Sequence, residues 1–359
     1  MMSSKRKDKI YVIAEIGVNH NGKISLAKKL IQSAKKAGAD AVKFQNFSAD
    51  NLATQSARKA PYQIKNTKNN ESQYLMLKNL ELKRQDYFKL KNFSKKFKID
   101  FISSVFDQES IFFLIKKLKI KKIKIPSGEL TNFLILKELN LKNCQILLST
   151  GMSNIKEIIS AINIISKSII YKFKKNKVKV VNYKMLKKIK KKLTVLHCVT
   201  DYPVDDKYAN LKCIGNLSKQ LKINIGYSDH TKGIIAPLIA ASKGARVIEK
   251  HFTLNKKMKG PDHKASLEPR EFKEMVKNLR DYELMCGDGE KKIQKCELKN
   301  INIARKSIVA KLLIKKNEKF TYRNLTAKRP GDGLNPMIIE NLINKKSKKT
   351  FYPDEQIKI

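Results

Sequence analysis

A (β/α)8 barrel followed by a small β-rich module is the architecture that this sequence predicts, on three observations. Eight short runs of branched apolar residues fall between positions 10 and 252. Amphipathic helical patterns separate them, and one more follows the last. Beyond about residue 286 the pattern changes to short strands broken by Gly and Pro.

The first strand, 10–16, carries Glu15 inside an apolar run and opens into Asn19, His20, Asn21 and Gly22. The helix "SLAKKLIQSAKKAG" (25–38) follows, with Ser25 as its expected N-cap and Gly38 as its terminator. Strands are then expected at 40–45, 99–104, 122–126, 145–150, 193–199, 223–228 and 246–252, and "PREFKEMVKNLRDYELM" supplies the eighth helix. That count suits a closed barrel of about 250 residues. An open doubly wound sheet fits less well, because no GxGxxG turn is present. Residues 50–85 form a polar insertion long enough for a lid or an interface loop. Residues 165–192 form a Lys-rich surface elaboration. The expected division is a catalytic barrel at 1–285, a polar linker at 286–302 and a β-rich module at 303–359.

Composition narrows the function. Five cysteines (Cys144, Cys198, Cys213, Cys286, Cys296) are odd in number and form no CxxC, which argues against a disulfide framework or a zinc knuckle and for a reducing cytosol. The start "MMSSKRKDK" leads into no signal-like segment, and no run approaches the ~18 apolar residues of a membrane span. A soluble, cytoplasmic protein is expected, with no membrane partner. The net charge of +45 could point to a polyanion. However, the lysines are scattered through nearly every helix and turn alongside abundant Ile and Asn, the signature of a compositionally biased genome, so no nucleic-acid partner is expected.

Barrel chemistry gathers at the C-terminal strand ends. Here almost every strand ends in polar groups: Glu15 with Asn19 and His20, Lys43 with Gln45, Ser103 with Ser104, and Lys124 with Ser127 and Glu129. The later strands add Ser149 and Thr150, then His197, Thr200 and Tyr202, then Ser228, Asp229 and His230, and finally Glu249, Lys250 and His251. Lys43, Lys124, Ser127, Ser149 and Thr150 make a cradle for a phosphate or carboxylate, and a Schiff-base role for a lysine stays open. His230 and His251 end neighbouring strands and could share a divalent metal with positions left for water and substrate. His197, inside an apolar run, reads as a packing residue.

The motifs "IAEIGVNHNG", "AKKAGADAVKFQ", "KIPSGEL", "LSTGMS", "LHCVTDYPV", "GYSDHT", "GARVIEKHFTL", "GPDHKASLEP" and "KRPGDGLNP" occur in that order. In them the chain resembles the N-acetylneuraminate (sialic acid) synthase family, including the legionaminic and pseudaminic acid synthases, over almost its whole length. The resemblance implies condensation of phosphoenolpyruvate with N-acetylmannosamine or a related 2-acetamido hexose, with C–O cleavage and phosphate release. The alternative product is N,N'-diacetyllegionaminate, made from 2,4-diacetamido-2,4,6-trideoxymannose. It implies a divalent ion, Mn2+ first with Mg2+ or Co2+ as alternatives, on His230 and His251. Lys43, Lys124, Ser127, Ser149 and Thr200 match the phosphoenolpyruvate pocket, Thr200 being a departure where asparagine or serine is frequent. Glu15, Gln45, Glu129, Tyr202 and Asp262 match groups around the reacting carbons and the sugar. The C-terminal part resembles the antifreeze-like SAF module, and Arg329 matches the arginine that such a module offers to the other subunit of a domain-swapped homodimer. The motif forms are nearer the neuraminate and legionaminate branches than the pseudaminate branch.

Overall fold

The structure, a computed structural model, describes residues 9–358, so most of the basic start lies outside the described residues. The chain divides into two compact units after Cys286. The first contains eight parallel strands: β1 (Tyr11–Gly17), β2 (Ala41–Asn46), β3 (Asp100–Val105), β4 (Lys122–Ile125), β5 (Gln145–Ser149), β6 (Leu193–His197), β7 (Asn224–Asp229) and β8 (Val247–His251). They close in the order β1-β8-β7-β6-β5-β4-β3-β2, each starting within one residue of its predicted position.

Alternation along each strand sets what faces the barrel axis. Ile13, Ala41, Ile102, Leu147, Leu196 and Val247 form one apolar interior cluster. Their neighbours Val12, Ala14, Val42, Leu148 and Ile248 belong to the separate core between barrel and helices. Gly226 is needed at this level, since a Cβ there would lie 2.5 Å from the Leu196 side chain and 2.6 Å from the Val247 carbonyl oxygen. Two residues further along the strands the inward positions become Glu15, Lys43, Ser104, Lys124, Ser149, Ser228 and Glu249. A floor of hydrocarbon therefore carries a layer of charge and hydroxyl.

The first helix spans Ile24–Lys36, so Ser25 lies inside it and is not the N-cap. The tight turn that joins Lys23 N to His20 O (2.9 Å) runs straight into the helix, and the Lys23 carbonyl already accepts from Ala27 N (3.0 Å). Gly38 does end it, with φ +93. The eighth helix spans Pro269–Met285 and opens on a Glu268/Glu271 capping box. The insertion after β2 forms three short helices, Ala49–Leu52, Pro61–Thr67 and Gln73–Leu80. The Lys-rich elaboration is an antiparallel hairpin, Tyr171–Lys174 with Lys177–Val180, followed by helix Tyr183–Ile189.

The second unit opens at Gly287. Helix Leu298–Ala304 occupies part of the stretch expected as linker. Strands Ser307–Ala310 and Leu325–Lys328 pair antiparallel, and Ile308, Ala310, Ile314, Phe320, Leu325, Leu342, Phe351 and Ile357 form a core of the unit's own. No helix among the described residues is long and apolar enough to cross a membrane.

Candidate active site

The charged layer is built by register. Glu15 pairs with Lys43 on β2 and with His251 on β8, and Glu249 pairs with Ser228 on β7. Lys43 Nζ lies 2.8 Å from Glu15 Oε2 and 3.8 Å from Glu249 Oε1, and it donates to Ser104 Oγ at 3.0 Å. Lys124 Nζ donates to Glu249 Oε1 at 2.6 Å, and Ser228 Oγ donates to the same oxygen at 2.8 Å. Gln45 Nε2 donates to Glu15 Oε1 at 3.1 Å. All four ionisable groups are buried. Two carboxylates balance two ammonium groups, so the layer carries no net charge, which is what makes its burial tolerable.

The two carboxylates are not equivalent. Burial raises the Glu15 pKa and the neighbouring Glu249 charge pushes the same way, against the pull of Lys43. Glu249 is also penalised by burial, but Lys124 and Lys43 outweigh that and hold it below the usual carboxylate range. Glu249 is thus the fixed anion, and Glu15 is the carboxyl able to take up or release a proton.

Beside this layer, Ser127 Oγ accepts from Gly151 N at 3.0 Å and lies 3.1 Å from Cys198 Sγ. Thr200 Oγ1 is buried without a hydrogen-bond partner. A Cβ on Gly151 would lie 2.1 Å from Thr200 Oγ1 and 2.8 Å from Ser127 Oγ. Glycine leaves two hydroxyls around one small space, Ser127 held in place by the Gly151 N–H and Thr200 Oγ1 without a partner, and hydroxyls of this kind suit an anion's oxygens.

His230 Nδ1 donates to Val199 O at 2.6 Å, which leaves the Nε2 lone pair free. His251 Nδ1 is buried with no hydrogen-bond partner. Burial depresses both imidazoles, His230 to about 4 and His251 well below its ordinary value, so both are neutral near pH 7. Their ring centroids are 5.7 Å apart. Two neutral imidazoles with unengaged nitrogens fit a borderline divalent cation. Among the described residues no group of three or more His, Cys, Asp or Glu forms a metal cage, so an ion here would complete its shell with substrate or water.

The roof comes from the insertion. The Tyr62 ring lies 4.9 Å from Tyr202, which lies 4.1 Å from the His230 ring. Asn66 Nδ2 donates to Pro261 O at 2.6 Å and ties the insertion to the loop after β8. On that loop, burial and then the Glu15 charge push Asp262 up to about 7, against Lys43; its Oδ2 lies 3.9 Å from His251 Nδ1. Asn19 and His20, among the polar groups expected at the end of the first strand, do not open to solvent. Both are buried, and the Asn19 amide donates to Phe252 O (2.9 Å) and Ser266 Oγ (2.8 Å).

The NeuB family matches residues 30–291. The chain belongs to the NeuB family. It is 47% identical over 350 residues to the N,N'-diacetyllegionaminic acid synthase of Campylobacter jejuni, covering 98% of this chain and 99% of that one. Identity to the Legionella pneumophila protein of the same name is 40% over 333 residues, 93% and 89% of the two chains. Among solved structures it resembles the N-acetylneuraminic acid synthetase of Leptospira borgpetersenii in complex with citrate: TM-score 0.67, 28% identity, 84% of this chain and 94% of that one. As a NeuB-family member it is a sugar-acid synthase, an enzyme of the transferase type.

Of the residues expected to act in this NeuB-family site, Glu15, Lys43, Gln45 and Lys124 share the charged layer, with Ser149 buried at the end of β5. Ser127 and Thr200 flank Gly151, and His230, His251, Tyr202 and Asp262 gather above. The lysines are not bare charges awaiting an anion, since each already faces a carboxylate. Glu129 stands apart, half-buried, its Oε2 taken by Asn132 Nδ2 at 2.7 Å. Arg329 belongs to the second unit, where its exposed side chain donates from Nε to Ala304 O at 3.0 Å. His197 packs as expected, 5.8 Å from Tyr227, with Nε2 on Ala209 O. Sequence reasoning gave no role to Glu249, the anion shared by both lysines. Its position two residues before His251 puts both on one strand face, and that was the available signal.

Proposed function

We propose that this chain is an N,N'-diacetyllegionaminate synthase that joins phosphoenolpyruvate to 2,4-diacetamido-2,4,6-trideoxymannose with loss of phosphate. The observation that carries the chemistry is that the C-terminal strand ends bring together the layer of Glu15, Lys43, Lys124 and Glu249, the Ser127/Gly151/Thr200 cradle and the His230/His251 pair. The choice of sugar rests on the 47% and 40% identities to two diacetyllegionaminic acid synthases, against 28% to an N-acetylneuraminic acid synthetase.

His230 and His251 would hold a divalent ion, Mn2+ first with Mg2+ or Co2+ as alternatives, which when bound polarises the sugar aldehyde for attack. Ser127 and Thr200 would orient the phosphate, with the Gly151 N–H fixing the Ser127 hydroxyl and Ser149 contributing from the end of β5. Lys124 and Lys43 would exchange part of their contact with Glu249 and Glu15 for the anion. C3 of phosphoenolpyruvate attacks the aldehyde carbon, water adds at C2, and phosphate leaves by C–O cleavage. Glu15, whose pKa is raised, would take the proton of that water, with Gln45 orienting its Oε1. Tyr202 and Asp262 would line the sugar side; a role there for Glu129, which stands apart from them, rests on the family resemblance alone. We read the second unit as an SAF module and the enzyme as a cytoplasmic, domain-swapped homodimer in which Arg329 serves the partner's barrel; this assignment rests on the family resemblance.

The test is purified protein with phosphoenolpyruvate, Mn2+ and a panel of hexosamines, read by product mass. The 2,4-diacetamido sugar should have the highest kcat/KM, and label in the bridging oxygen should leave in phosphate. Preference for N-acetylmannosamine or for a phosphorylated sugar would overturn the substrate assignment. Borohydride trapping of an imine on Lys43 or Lys124 would overturn the role of the lysines as charges.

A further inference from the structure

Lys250 lies between Glu249 and His251 on β8, but alternation turns it to the opposite face, between the barrel and its helices. Its side chain and that of Asp229 are both 0% exposed. Lys250 Nζ donates to Asp229 Oδ2 and to Thr231 O, each at 2.5 Å. Asp229 Oδ1 accepts from Thr231 N (2.8 Å), Thr231 Oγ1 (2.8 Å) and Tyr227 OH (3.1 Å). A buried ion pair is a poor source of stability compared with apolar packing of the same volume. None of these atoms faces the layer where the chemistry takes place.

What the pair does hold is backbone. The bond from Thr231 N to Asp229 Oδ1 closes a side-chain turn with His230 at its tip. The carbonyl of His230 is pinned from outside by Val204 N at 2.9 Å. The two Lys250 bonds then tie that turn across to β8, one residue before His251. Both imidazoles are thus mounted on a single cross-strand clamp. We propose that the buried Asp229–Lys250 pair, with Thr231 and Tyr227, is a positioning device that fixes the spacing of His230 and His251 for a divalent cation. The inference rests on the reading of those imidazoles as the ion site.

The test measures Mn2+ binding by calorimetry or electron spin resonance on folded protein, alongside steady-state kinetics. Lys250→Met keeps length and removes the charge; it should weaken Mn2+ binding by about 10-fold or more. It should lower kcat while leaving the KM for phosphoenolpyruvate near the parent value, because the cradle lies on other strands. Lys250→Arg should recover part of the Mn2+ affinity. Tyr227→Phe, which removes one hydroxyl and keeps the ring, should weaken Mn2+ binding in the same sense by a smaller factor, and it carries the test if Lys250→Met does not fold. Parent-like Mn2+ affinity in folded Lys250→Met, or in Tyr227→Phe when that variant stands alone, would overturn the positioning role. His230→Ala separates the two readings: if it still binds Mn2+ like the parent, the ion site itself is wrong, whereas loss there with no change in the clamp variants refutes the clamp alone.

Discussion

Replacing Glu249 by glutamine tests the electrostatic reading of the barrel interior most directly. The side chain keeps its shape, but the layer goes from two cations and two anions to two cations and one anion. Lys124 loses its 2.6 Å counter-charge, and Lys43 is left with Glu15 alone. Leaving a buried charge unpaired costs about 3–5 kcal/mol. At about 2–4 °C per kcal/mol for a domain of this size, Glu249→Gln should lower Tm by roughly 6–20 °C. A ligand that brings negative charge to the same lysines stabilises both proteins, and it offsets part of the variant's loss only by as much as it binds the variant more tightly. Differential scanning fluorimetry with and without saturating phosphoenolpyruvate measures both quantities. Because Lys124 gives up no carboxylate in the variant, the variant should bind phosphoenolpyruvate about tenfold more tightly, and the gap should narrow by about 1.4 kcal/mol. A variant as stable as the parent, or a deficit that phosphoenolpyruvate leaves untouched, would refute the argument that Lys43 and Lys124 pass from carboxylate to substrate.

Three further outcomes are expected. Gly151→Ala should raise the KM for phosphoenolpyruvate about 10- to 150-fold, the loss of one charge-assisted hydrogen bond, with Mn2+ affinity unchanged by calorimetry. Burial holds His20 and His263 down at about 4, so the unfolded chain takes up protons first. Stability from them is full above about pH 6.5 and is lost as pH falls toward 4, on the order of 2 kcal/mol each at pH 5, and His20→Asn should flatten the fall of Tm between pH 7 and 5. Finally, Arg329→Ala and His251→Ala, each nearly inactive, should return roughly a quarter of parent activity when unfolded and reassembled together, because each mixed dimer would hold one intact site. Mixed dimers without recovered activity would exclude action in trans.

The barrel was legible because its strands are buried on both faces and its helices on one, so apolar period alone separates them. Glu15 and Lys43 were legible for a related reason: a charge two positions beyond an inward apolar residue shares that residue's face, whereas Lys124, two beyond Lys122, was legible only as a polar strand end. Sequence could not show that the lysines are already neutralised, because the partner anion, Glu249, is 206 positions from Lys43 and 125 from Lys124, and only closure brings them together. Tyr62 was hidden in the same way, since its contact with Tyr202 depends on how the insertion folds back. Ser25 misled because a hydroxyl just before an apolar period is a common cap, but here a backbone turn had already started the helix.

The closure of β8 onto β1 has a consequence for the growing polypeptide. Glu15 leaves the ribosome early, but its neighbours His251 and Glu249 emerge some 235 residues later. Until then Lys43 and Lys124 have one carboxylate between them, and the floor of the barrel has an open seam. A nascent chain halted before β8 therefore cannot bury its own interior without leaving a cation stranded. Premature collapse is disfavoured by charge, and a truncated product stays open to proteolysis. The layer that would bind substrate is also the check that the last strand has arrived.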